Sequence, residues 1–231
     1  MVFKIRQRQA PKNVAPIEFA PTAMPSRFPD RAQAPVELVS QDGSREPSWA
    51  HVSGWAQLSG SRQTVSCILI CANQAPVVAQ LLPLLSDSLT ESGYPWEIIA
   101  VDAGSTDDTL AVLSPWIELP GIRILRLDSP QDTAPCFAAS LLRARGDAVI
   151  CVDPVAPHSP DLIPQMILLW ESEAMLVHAR YNAAQRRSSL VHWDETAMRQ
   201  RISHPDFMLP PECTQLGLLD RQLIDWMVQG G

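Results

Sequence analysis

The sequence predicts an α/β protein with a mostly parallel, Rossmann-like sheet flanked by helices. Apolar runs of five to seven residues, each bounded by turn residues, recur after residue 63. Segments of helical length and period separate them. The run that opens the pattern, Val65 to Cys71, carries no alternation, as expected of a strand covered on both faces.

The elements follow in order. After the strand 65–71, Asn73 is placed as a helix N-cap, with Pro76 in the first turn and Val77, Val78, Leu81, Leu82, Leu85 and Leu89 at helical spacing. Pro83 should kink or divide that helix. Strands are expected at 97–101, 122–127, 148–152 and 175–179. Helices are expected at 107–113, 135–145 and 161–173. After Tyr181 the pattern fades until 218–228, where Leu219, Leu223 and Met227 fall on one helical face.

Residues 1–62 read differently. Seven prolines fall in this stretch with no sustained period between them, so it is expected to be a disordered, Pro-rich leader ahead of a domain spanning 63–231. Its first 31 residues hold six Lys or Arg against Glu18 and Asp30, while the other 200 hold twelve basic against twenty-three acidic residues. A basic arm on an acidic body is a marginal electrostatic anchor, at about 1 kcal/mol per charge near an anionic bilayer.

Composition narrows the function classes. The chain has 231 residues, 46% of them hydrophobic and 19% charged, which excludes collagen, coiled-coil and wholly disordered classes. A net charge of −7 opposes a whole-surface grip on nucleic acid. The five cysteines match neither a disulfide framework nor a paired C-x-x-C zinc site, so reduced thiols in a cytoplasm-like compartment are expected. No apolar run approaches the roughly 20 residues that span a bilayer, and 1–12 lacks the apolar stretch of a secretory signal.

Two segments carry candidate chemistry. In 101–109, VDAGSTDDT, a buried strand ends in Asp102, turns at Gly104 and enters a helix at Ser105 or Thr106. A carboxylate at a strand end can accept from a base or ribose, and the helix start suits phosphate. The structural alternative is a capping box between Ser105 and Asp108, with Asp107 adding favourable charge. In 146–164, GDAVICVDPVAPHSPDLIP, a second strand delivers Asp153 to the same edge. Pro154 biases Asp153 to an extended backbone, and the alternative there is an Asp that merely ends a strand. His158 is a candidate ligand or proton donor, or a surface residue.

The order of these pieces resembles the family 2 glycosyltransferases. VSCILICANQ is similar to that family's first strand and VDAGSTDDTL to its Asp-x-Gly-Ser-Thr-Asp motif. RARGDAVICVDPVAPHSPDLIP is similar to its Ala-Arg-Gly-Asp segment and Asp-x-Asp loop, in the form seen near the polyprenyl- and dolichyl-phosphate hexose synthases. The resemblance covers about 64–221. It implies a GT-A fold, a nucleotide-sugar donor, inversion at the anomeric carbon and Mg²⁺ or Mn²⁺. It places the nucleotide on Asn73, Asp102, Gly104 and Ser105, the metal or diphosphate on Asp153, and the general base on Glu212 or Asp194. It also implies a cytoplasmic location, peripheral to membrane glycan machinery.

The departures are specific. Asp153-Pro154-Val155 stands for Asp-x-Asp, so the second carboxylate is an apolar side chain. Ala138 and Ser140 stand where the family has Asn and Gly. In PECTQLGLLDR, Thr214 and Arg221 match the family's stretch, while Pro211, Gln215 and Gly217 replace an acid, a Gly and an Arg. The chain ends at Gly231, short of the amphipathic and basic segments the resemblance leads one to expect. The sequence therefore predicts either weak, metal-atypical glycosyl transfer or a catalytically silent nucleotide-binding or interaction scaffold.

Overall fold

A computed structural model describes residues 37–39, 63–127, 133–202 and 208–229. They form one eight-stranded sheet between two helical layers. The strands are β1 (Glu37–Val39), β2 (Val65–Cys71), β3 (Trp96–Asp102), β4 (Ile122–Leu127), β5 (Ala148–Val152), β6 (Ala174–Asn182), β7 (Arg187–Asp194) and β8 (Leu216–Asp220). The helices are α1 (Ala75–Glu91), α2 (Thr109–Leu113), α3 (Thr133–Arg143), α4 (Ile163–Glu171), α5 (Glu195–Ile202) and α6 (Arg221–Gln229). The spatial order is β1-β4-β3-β2-β5-β8-β6-β7.

The chain winds outward from β2 through β3 to β4, then returns to place β5 on the other side of β2, all in parallel. That reversal is the topological switch point, where open α/β sheets leave a crevice at the carboxyl ends of their strands. Beyond β5 the sheet turns antiparallel: β8 pairs with β5 and β6, and β6 pairs with β7.

Burial explains why the first four long strands were legible. Cys67, Leu69 and Cys71 of β2 face α1, α2 and α4, in a core with Leu82, Leu85, Leu113 and Met166. Ile68 faces the other layer, with Phe137 and Leu141 of α3, Met198 of α5 and Leu223 of α6. Residues on both faces must therefore be apolar.

Three expectations are corrected. Of the two outcomes expected at Pro83, division does not occur: α1 runs unbroken from Ala75 to Glu91. Its lost hydrogen bond costs about 3 kcal/mol. Fully buried Val78, Leu82, Leu85 and Leu89 outweigh that at about 1.5–3 kcal/mol each. Second, 218–228 is not one helix: Leu216–Asp220 is β8, with Leu218 and Leu219 in opposite cores, and α6 begins at Arg221. Third, β7 and α5 occupy the region where the pattern faded, because β7 is an edge strand without the buried run that marks the others. Of 1–62, only Glu37–Val39 is described, paired parallel to β4 at the sheet edge, and the expected disordered leader otherwise lies outside the described residues.

Candidate functional site

Asp102 ends β3 and Asp153 follows β5, so both lie at the carboxyl edge, on either side of β2. Two inter-strand spacings separate them, roughly 10 Å. Between them sits the buried thiol of Cys71, its pKa pushed up first by burial and then by the charges of Asp102, Asp153 and Asp107.

The Asp102 loop is pre-formed. Asp102 has no exposed surface, and its Oδ1 accepts the Ser105 N–H at 2.9 Å across a turn that needs Gly104 at φ +78°. Its Oδ2 is buried without a hydrogen bond, with the Arg126 Nε 3.7 Å away. Such an atom is costly unless something donates to it.

Asn73 is not the helix cap it was expected to be. Gln74 holds that position without a side-chain cap, and Asn73 sits at φ +53° with its Oδ1 accepting the Thr106 N–H at 2.8 Å. Its own N–H donates to the Ser105 Oγ, and the Ala75 N–H to the Asp107 Oδ2. The capping box between Ser105 and Asp108 does not form: Ser105 serves Asn73, and Asp107 binds the Thr109 N–H and hydroxyl. These bonds clamp the loop after β2 to the loop after β3.

Asp153 occupies a different environment. Its Oδ1 accepts the Val155 N–H at 3.0 Å, its N–H donates to the Gln215 carbonyl, and burial raises its pKa. A cavity of about 20 Å³, lined by Leu85, Val152, Asp153, Pro154, His158 and Gln215, lies beside it. That volume holds one water. Val155 points to solvent at 62% exposure. Among the described residues no three His, Cys, Asp or Glu side chains converge on a common point. Hard divalent ions want several oxygen ligands, so these residues do not fit a protein-held Mg²⁺ or Mn²⁺.

Glu212, in the 3-10 turn Pro211–Thr214, shares this edge because the turn leads directly into the start of β8. Asp194 does not. It ends β7 opposite Ala174, at the amino edge, where its Oδ1 accepts the Ala197 N–H at 2.7 Å and caps α5. The sequence also passed over His178, on β6 and 1% exposed. Neither ring nitrogen has a hydrogen-bond partner, and the ring meets Trp193 edge-on at 6.0 Å. Burial lowers its pKa, partly offset by the Glu212 charge and reinforced by Arg180. Only β6's pairing with β8 brings His178 beside that turn, so no local signal marked it.

One departure from the family pattern, Gly217, has a structural cause. A Cβ on Gly217 would collide with the backbone of Cys213, so the turn bearing Glu212 packs directly on β8 and leaves no room for an Arg. Arg221 lies at the amino edge, donating to the carbonyls of Gly146 and Ala144.

An uncharacterized glycosyltransferase from Synechocystis sp. is 24% identical over 167 residues, 71% of this chain and 52% of its own length. A mannosyltransferase from Pyrobaculum calidifontis, solved in complex with GDP-Man and Mn²⁺, is 21% identical with a TM-score of 0.50, over 72% of this chain and 47% of its own. Glucosyl-3-phosphoglycerate synthase from Mycobacterium tuberculosis, in complex with phosphoglyceric acid, is 20% identical with a TM-score of 0.46, over 82% of this chain and 66% of its own. The chain thus spans about half the length of the first two. The fold is of the GT-A type. The family model described as Glycosyl transferase family 2 matches residues 66–217, and the chain belongs to that family.

Proposed function

We propose that the carboxyl edge binds a nucleotide sugar and transfers its sugar with little dependence on a divalent metal. The observation that carries this reading is the pre-formed Asp102 loop, with a buried Oδ2 at the switch point that accepts no hydrogen bond and has only the Arg126 charge beside it. A ribose hydroxyl or base N–H would complete Oδ2, with Asn73, Gly104 and Ser105 shaping the loop around it. Asp153 lies toward the diphosphate.

In the transfer, an acceptor oxygen attacks the anomeric carbon from the face opposite the nucleotide. The bond to the diphosphate oxygen breaks, the diphosphate keeps the electron pair, and the configuration inverts. Glu212 takes the acceptor's proton when that acceptor is a hydroxyl, a role typically worth 10² to 10⁴ in rate. A lipid phosphate, as in the polyprenyl-phosphate branch, or a growing polysaccharide is the acceptor class. On this reading the acceptor is met at the inner face of a membrane. Among the described residues no helix is long and apolar enough to cross one.

The solvent-facing Val155 favours a second reading, a silent scaffold that binds a nucleotide or a protein within a glycan assembly system. Calorimetry and turnover assays with UDP, GDP and their sugars, with chelator and with Mn²⁺, separate the two. Transfer that survives chelator supports the first reading, and binding without transfer the second. At 100 times its dissociation constant a ligand adds about 2.7 kcal/mol of stability. If no nucleotide stabilises the protein, the site reading fails. If transfer is fast and strictly Mn²⁺-dependent, the metal reading fails.

A further inference from the structure

The carboxyl edge gathers Asp102, Asp107, Asp153 and Glu212, an arrangement that repels a phosphate-bearing ligand unless positive charge is supplied. Most arginines of the described residues are committed elsewhere. Arg123 pairs with Glu97, and Arg143 and Arg221 donate to backbone carbonyls at or near the amino edge. Arg199 pairs with Glu195 and lies over Trp226, Arg201 lies over Trp193, and Arg126 faces Asp102.

The β6–β7 hairpin is the exception. Its first residues are buried, but from Arg180 onward it runs out beyond the carboxyl edge into solvent. Register sets Arg180 opposite Ser189 and Arg187 opposite Asn182, so the two arginines are diagonal neighbours on one face, about 7 to 8 Å apart at the backbone and within reach of each other's long side chains. His178, two residues before Arg180, shares that face, and the turn bearing Glu212 packs on it over Gly217. Among the described residues no carboxylate lies within ion-pair distance of Arg180 or Arg187.

The arm is also fixed in place. Asn182 Oδ1 accepts the N–H groups of Ala184 and Gln185, and Arg186 closes the turn at φ +49°. On the opposite face, His158 of the Asp153 loop reaches Ser188 at 2.9 Å and meets Tyr181 edge-on. The hairpin and the Asp153 loop are therefore joined by direct contacts.

We propose that Arg180 and Arg187 form a phosphate-binding pair at the mouth of the site, supplying the positive charge that the Asp153 loop lacks. This deepens the nucleotide-sugar reading and rests on it for the identity of the donor. Two planar guanidinium forks match phosphate oxygens in a way that ammonium groups do not. The phosphate comes from the donor's diphosphate or from a phosphate-bearing acceptor, and the test separates these sources.

The probes are inorganic pyrophosphate, UDP, UMP, and farnesyl phosphate in neutral detergent micelles, each titrated by calorimetry in chelator. Arg180→Ala and Arg187→Ala should each weaken binding roughly tenfold, and the double variant roughly a hundredfold, with lysine variants recovering only part. Both sites are exposed, so the melting temperature should stay unchanged. Loss of pyrophosphate and UDP with UMP retained assigns the pair to the donor; loss of farnesyl phosphate alone assigns it to the acceptor. The proposal is overturned if neither pyrophosphate nor farnesyl phosphate binds, or if the double variant keeps both. Failure of the nucleotide reading shows separately: the native protein then binds pyrophosphate but neither UDP nor UMP.

Discussion

The two edges of the sheet treat their polar groups in opposite ways. At the amino edge, the Ser66 hydroxyl and the Arg145 N–H donate to Glu97 Oε1, Arg123 pairs with Oε2, and the Gly146 N–H returns to Ser66. Arg221 holds the Gly146 and Ala144 carbonyls, and Asp147 ties the loop to Thr64. That network ties β2, β3, β4 and the loop before β5 to one another. At the carboxyl edge, Asp102 Oδ2 and both His178 nitrogens are buried without hydrogen bonds. The contrast separates polar groups that hold the chain together from those that, on the proposed function, meet a ligand.

The largest effect should come from breaking the amino-edge network. Glu97→Gln leaves Arg123 buried without its counter-charge and should cost about 3–5 kcal/mol. For a chain of this size that is a fall in melting temperature of about 6–20 °C, read by calorimetry. A change under 1 kcal/mol would mean that the network is not the lock it resembles.

Gly217→Arg, which restores the family's residue, should come next. The side chain has to displace the Cys213 turn, so a cost of about 1–3 kcal/mol is expected, together with loss of any transfer that depends on Glu212. Unchanged stability and activity in urea melts and turnover assays would show that the turn has room to move.

At the open edge, Asp102→Asn keeps an oxygen for the Ser105 N–H but removes the charge. Stability should change by less than about 1 kcal/mol while nucleotide affinity falls about tenfold. Equal losses of both would make Asp102 a structural residue like Glu97.

The smallest effect is a pH slope from His178. Burial holds its folded pKa below 6.5, so the unfolded chain binds more protons, and stability should be lost as pH falls through and below 6.5. Glu212 opposes that shift, while Arg180 adds to it. In His178→Phe the slope of urea-melt stability between pH 7 and pH 5 should flatten; an unchanged slope would assign it to other groups, His158 among them.

Local patterning determined the sheet's first half. Val65–Cys71, Ile122–Leu127 and Ala148–Val152 were legible to the residue, because a strand buried on both faces must be continuously apolar, and the turns after them carry their own Gly, Asn and Asp signals. The same logic gave Asp102 and Asp153 as strand-end carboxylates on one edge. What followed Tyr181 was decided by tertiary pairing. Edge strand β7 has one covered face at most, and β8 is five residues merged with the helix after it, so neither has a period long enough to read. Their antiparallel pairing sent Asp194 to the far edge, set His178 beside the Glu212 turn, and carried Arg180 and Arg187 out over the site. Residue spacing along the chain holds no information about such neighbours, since it is the strand order that brings them together.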